Sequence, residues 1–182
     1  RELAGACRSV GVVLAAAGVW AGRSWLATEV VQVSEDARVW EAEIRQGVKW
    51  HDGSELTAED VVFTYNLYLN GPANRWTHHV SDVPRIETIE LVSPTRVRFT
   101  APRPMPNFDL VTAPELPIMQ KKQWEGIEDP RTMADPVIGT GPYKLVDYVA
   151  DEYYHFVAHE EFWGGAPTVK DLTLVMIKDP QT

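Results

Sequence analysis

With 182 residues the chain has room for one domain or two small ones. An apolar fraction of 45% beside 24% charged residues is ordinary globular composition and excludes a disordered chain. Lys and Arg number 17 against 26 Asp and Glu, a net charge of −9 that excludes sequence-independent nucleic-acid binding, and the single cysteine excludes an internal disulfide or a cysteine-built zinc cluster.

Residues 1–24 read as a leader-like segment. An apolar run over 10–22, rich in Ala, Val and Gly, follows Arg1 and Arg8 and precedes Arg23. It is shorter than the roughly 18 residues a bilayer span needs, and its flanks are those of a secretory signal peptide. A buried segment of the fold is the alternative. Cys7 precedes the run, whereas a lipoprotein cysteine follows one, so it reads as an inert thiol.

Residues 26–33 are apolar and β-branched, and predict a strand. A polar turn at 34–37 leads into 39–45, where Trp40, Ala42 and Ile44 alternate with Glu41, Glu43 and Arg45. That alternation predicts a half-buried strand, and the two strands an antiparallel hairpin. Residues 48–50 are extended, and His51-Asp52-Gly53 closes a tight turn. Thr57 is a helix N-cap with Glu59 and Asp60 in the first turn. This helix is expected to run to Leu69 and stop at Asn70-Gly71-Pro72. Its apolar face carries Val61, Val62, Tyr65, Tyr68 and Leu69, while Phe63 and Leu67 lie opposite, so both sides are expected to be covered.

After a polar loop over 73–84, residues 85–92 and 95–101 predict a hairpin around Ser93-Pro94, with Val97 and Phe99 facing inward. Pro102, Pro104 and Pro106 impose an irregular connection. A short helix is expected over 117–124, an acidic loop over 125–135 and a turn at Gly139-Thr140-Gly141-Pro142. Residues 143–149 and 153–159 predict a third hairpin, followed by a turn cluster over 162–167. Residues 172–177 are apolar on both faces, the pattern of a central, doubly covered strand.

No catalytic set, metal site or cofactor site emerges. His51 and Asp52 are neighbours on a turn and point apart. His78, His79 and Asp82 fall in a polar loop. His155 and His159 lie four apart on a strand, too far to share an ion. The Gly139-Thr140-Gly141 segment lacks the spacing of a phosphate loop, and Pro142 removes a donor where a helix would start. Glu160-Glu161 and Asp151-Glu152 sit in turns. The 7 tryptophans and 6 tyrosines suit a ligand cleft as well as a core. Trp40 and Phe99 fit the core, whereas Trp76 and Trp163 are candidates to face a ligand or another domain.

The stretch from Ile44 through Gly47-Val48-Lys49-Trp50-His51-Asp52-Gly53 and Leu56-Thr57-Ala58-Glu59-Asp60-Val61 to Phe63 resembles a signature of a known family. So does the second block, Gly139-Thr140-Gly141-Pro142-Tyr143-Lys144-Leu145, then Phe162-Trp163-Gly164-Gly165 and Leu172-Thr173. The family is that of the solute-binding proteins of peptide and nickel ABC importers, extracellular solute-binding family 5. The resemblance covers about residues 26–179.

It implies an α+β fragment of a two-lobed periplasmic binding protein, of the class with an extra small α+β domain. Residues 25–135 would form that small domain with its lead-in strand, and 136–182 part of the main-lobe sheet, the second lobe being absent. It further implies a periplasmic or cell-surface receptor without enzymatic activity, capturing short peptides or a similar solute for ABC permease subunits. Nickel, haem and oligosaccharide are other cargoes in the family. The expected ligand contacts are Thr140 and Gly141 near the lobe junction, and Trp76. Two other readings are a hydrolase using His51 and Asp52, and a cargo-free sensory or interaction domain. The apolar strand over 172–177 predicts a marginal or aggregation-prone isolated chain.

Overall fold

A computed structural model of the chain describes residues 26–70, 86–111, 117–127 and 136–177. The leader-like segment with Cys7, and the loop holding Trp76, His78, His79 and Asp82, lie outside the described residues.

The first half is an antiparallel four-stranded sheet. It contains β1 (Ala27–Gln32), β2 (Val39–Ile44), β3 (Thr88–Ser93) and β4 (Arg96–Thr100), in the order β1-β2-β4-β3. The alternation in β2 sets its two faces, because successive side chains point to opposite sides of a strand. Trp40, Ala42 and Ile44 face inward, and Trp40 lies opposite Phe99, which lies opposite Ile89. The outward face carries charge. Glu41 accepts hydrogen bonds from Arg98 at 2.7 and 2.9 Å, and Arg96 reaches Glu43 at 2.8 Å and Glu29 at 3.3 Å.

Helix α1 (Ala58–Asn70) packs its Val61 and Tyr65 side against the inner face of this sheet. The Tyr65 ring meets Phe99 edge-on at 5.0 Å. Phe63 and Leu67 are only half-buried, so the expected second covered face is partial. The three prolines lead into an unanticipated single turn, α2 (Phe108–Val111), which plants Phe108 in the core. Its ring stacks on Trp40 at 5.6 Å and lies 5.0 Å from Phe99. The helix expected over 117–124 is only α3 (Lys121–Trp124), because Gln120 is extended with ψ 116°.

Strands β5 (Tyr143–Val149), β6 (Tyr153–Ala158) and β7 (Asp171–Val175) form a second antiparallel sheet in that order. The expected hairpin is present, with Asp151 at its turn in the left-handed region at φ 63°. The expected apolar strand is present as β7, with the open face that the sequence predicted for this chain by itself. Among the described residues β7 pairs with β6 alone, and all five of its residues are exposed, Val175 by 67%.

Candidate functional site

The two sheets meet where the stretch between β2 and α1 crosses residues 139–144 and 159–163. Gly53, at φ 85°, closes the turn that His51 opens. His51 then binds the incoming strand in both directions. Its backbone N–H donates to the Gly139 carbonyl at 2.9 Å, and the Gly139 N–H donates to His51 Nδ1 at 3.2 Å. Because Nδ1 accepts, the proton of the neutral ring is on Nε2, which donates to the Gly141 carbonyl at 3.1 Å. His159 Nδ1 donates to the same carbonyl at 3.2 Å, and the two rings meet edge-on with centroids 5.1 Å apart. Lys144 Nζ donates to the His51 carbonyl at 3.1 Å.

Burial dominates the electrostatics here. It pushes the His51 ring down to about 4, assisted by the nearby His159 and Lys144 and opposed by the Gly141 carbonyl and Asp52. Burial likewise lowers His159, with Lys144 and Lys49 acting in the same direction against the Gly141 carbonyl and Glu161. Ion pairing and stacking close the rim. Lys49 reaches Glu161 at 2.5 Å, and the Arg45 guanidinium lies 4.6 Å from the centre of the Trp163 ring. A Cβ at Gly164 would come within 2.6 Å of the Phe162 ring, so a larger residue there requires that ring to shift.

Of the predicted ligand contacts, Thr140 and Gly141 sit at this junction and are both buried, Thr140 being 2% exposed. Trp76 lies outside the described residues. His51 and Asp52 are not joined as an acid–base pair. Asp52 instead accepts the Ser54 N–H at 3.0 Å, the Ser54 hydroxyl at 2.6 Å and the Gln120 amide at 3.1 Å. Burial raises its pKa, but these bonds and the Lys122 charge outweigh it and hold the carboxyl at about 2. Among the described residues no group of three or more His, Cys, Asp or Glu is placed to hold a metal ion. No described helix is long and apolar enough to cross a membrane.

The pairing of His51 with His159 was missed in sequence. The two residues are far apart in the chain, and only the Gly139–Pro142 segment threaded between them brings the rings together. His51 stands inside the first motif block, but His159 lies between the blocks that end at Leu145 and begin at Phe162, so nothing in the sequence marked the pair.

The model of the family "Bacterial extracellular solute-binding proteins, family 5 Middle" matches residues 23–182. The chain belongs to this family. Protein XP55 of Streptomyces lividans is 33% identical over 157 residues, covering 85% of this chain and 28% of that protein. The dipeptide-binding protein of Escherichia coli (strain K12) is 28% identical over 169 residues, covering 81% of this chain and 31% of its own. The family 5 chain therefore spans less than a third of the length of these relatives.

In solved structures, the ABC transporter substrate binding protein CtaP of Listeria monocytogenes superimposes with a TM-score of 0.74 at 32% identity, covering 93% of this chain and 35% of CtaP. The oligopeptide-binding protein AppA of Bacillus subtilis, in complex with a nonapeptide, gives a TM-score of 0.80 at 21% identity and covers 98% of this chain and 36% of AppA, a likeness of fold alone. The mixed α+β class expected for this family 5 chain is the one observed.

Proposed function

We propose that this chain is part of the substrate-binding component of an ABC importer, a receptor outside the cytoplasm. It captures short peptides or a similar small solute between two lobes and delivers it to the permease. The observation that carries this reading is the family match over residues 23–182, which takes in every described element. The 28% identity with a dipeptide-binding protein supports peptides as the cargo to test first. Residues 25–135 act as the small α+β domain and 136–182 as part of the main-lobe sheet, with the described junction between them. Thr140, Gly141 and Trp76 are the proposed ligand contacts. A ligand drives closure only by binding the closed form more tightly than the open one, and closure excludes water from it.

The receptor transforms nothing, in keeping with a His51 ring and an Asp52 carboxylate already committed to separate partners. Calorimetric titration of the full-length protein with di- to pentapeptides, nickel–histidine and haem tests this. Saturable one-to-one peptide binding is expected, weakened about tenfold by Thr140→Trp. Peptide hydrolysis by the purified protein, or tight binding of haem or nickel–histidine with none of peptide, would overturn it.

A further inference from the structure

We propose that the junction between the two sheets is an acid-operated latch. His51 and His159 hold segment 139–141 in place only while both rings are neutral, and proton uptake by either releases it. The proposal does not depend on whether the segment touches ligand.

The hydrogen-bond directions carry the argument. His51 Nδ1 must accept, because its partner is the Gly139 N–H at 3.2 Å, and Nε2 must donate, because its partner is the Gly141 carbonyl at 3.1 Å. One protonation state satisfies both, the neutral ring with its proton on Nε2. A second proton on Nδ1 would place one donor against another. His159 is closed to protonation by a different route. Its Nδ1 donates to Gly141, while Nε2 is buried without a hydrogen-bond partner among the described residues. A proton there would be a buried charge with no acceptor. The Gly141 carbonyl has two lone pairs, and the two rings use them both.

The surrounding charges do not rescue the charged forms. Lys144, from β5, donates to the His51 carbonyl, and Lys49, before the turn, lies near His159. Both repel a second positive charge. The two anions that would attract one are engaged elsewhere, Glu161 with Lys49 and Asp52 with Ser54, Gln120 and Lys122. With the rings 5.1 Å apart, charging one also opposes charging the other. Burial holds both rings below the ordinary histidine range, so the latch is closed at neutral pH and opens as acid reaches the rings.

Hydrogen–deuterium exchange of the full-length protein, read by mass spectrometry between pH 8 and pH 4 and corrected for intrinsic rates, tests the latch. Protection of a peptide spanning 137–143 is expected to fall on the order of a hundredfold as pH drops, with the β2 peptide still protected. His51→Gln and His159→Gln replace titrating rings by carboxamides and are expected to flatten that fall. Unchanged protection over 137–143, or loss in step with β2, would overturn the proposal. Should the variants not fold, 15N-histidine NMR of the wild-type protein decides. Neutral His51 protonated on Nε2 and His159 on Nδ1 are expected at pH 7. A His51 ring protonated on Nδ1, or titrating at an ordinary value, sinks the latch.

Discussion

Asp60 stands at N3 of α1 and its carboxylate serves two helices. One oxygen accepts the Thr57 N–H at 2.9 Å and the Thr57 hydroxyl at 3.2 Å, an aspartate version of the capping box. The other accepts the Lys121 N–H at 2.8 Å, the first donor of α3, which its own N-cap, Gln120, leaves unserved. Four residues on, the Thr64 hydroxyl accepts the Met119 N–H at 2.9 Å and fixes the same approach. Asp60→Ala strands partly buried donors on both segments, so a loss of about 2 kcal/mol is expected in urea denaturation, against about 1 kcal/mol for Asp60→Asn. The acidic first turn was legible from Thr57, Glu59 and Asp60. That Asp60 also holds residue 121 was not, because nothing local marks a donor 61 positions away.

His51 makes a pH prediction at the same scale. Its folded value of about 4 lies below the ordinary 6.5, so the unfolded chain binds the proton more readily. Stability is therefore complete above pH 6.5 and drains away as pH falls towards 4, by about 3 kcal/mol from this group. Denaturation midpoints measured across that window should drop steeply for the wild type and less for His51→Gln. Equal slopes would show that the ring titrates in solvent.

Among the elements, β2 and β4 illustrate how a charged face is stabilised. Glu41 is 8% exposed, yet it lies on the outward side of the sheet, covered by the stems and guanidinium groups of Arg96 and Arg98. Those arginines hold its pKa below the usual carboxylate range, first through the Arg98 hydrogen bonds, against the effect of burial. Arg98→Ala leaves a nearly buried carboxylate half-paired and should cost roughly 1–2 kcal/mol. Lys170→Ala, which breaks an exposed pair with Glu160, should cost under about 0.5 kcal/mol. Thermal melts of the two variants compare them directly, and equal losses would mean that the Glu41 ladder is no more than a solvated pair. Alternation in the sequence assigned Glu41 to the correct face, but it implied solvent exposure. The cover comes from β4, whose register against β2 sets Arg98 opposite Glu41.

For the molecule as a whole, the second sheet is the weak part of the described fold. The four-stranded sheet has α1 and Phe108 on its inner face, whereas β5 and β7 expose Val146, Tyr148, Leu174 and Val175. Tyr148 and Tyr154 stack at 5.8 Å across β5 and β6 and offer one another part of the missing cover. A strand edge with open hydrogen-bonding groups beside apolar side chains invites self-association. Leu174→Lys with Val175→Lys is expected to reduce aggregation of the 182-residue chain, as read by light scattering against concentration. Scattering unchanged by the two lysines would place the sticky surface elsewhere.

The sequence by itself determined the order and kind of most elements, the inward faces of β2 and β4, the helix start at Thr57 and the family to which the chain belongs. These follow from side-chain periodicity, capping and turn chemistry, all set by residues close in the chain. Only the tertiary structure decided that Phe108 plugs the core. It alone showed that Asp60 joins two helices and that His51 and His159 share one carbonyl. Each of those depends on which segments meet in space, and hydrogen-bond partners separated by tens of residues leave no periodic trace in a single sequence.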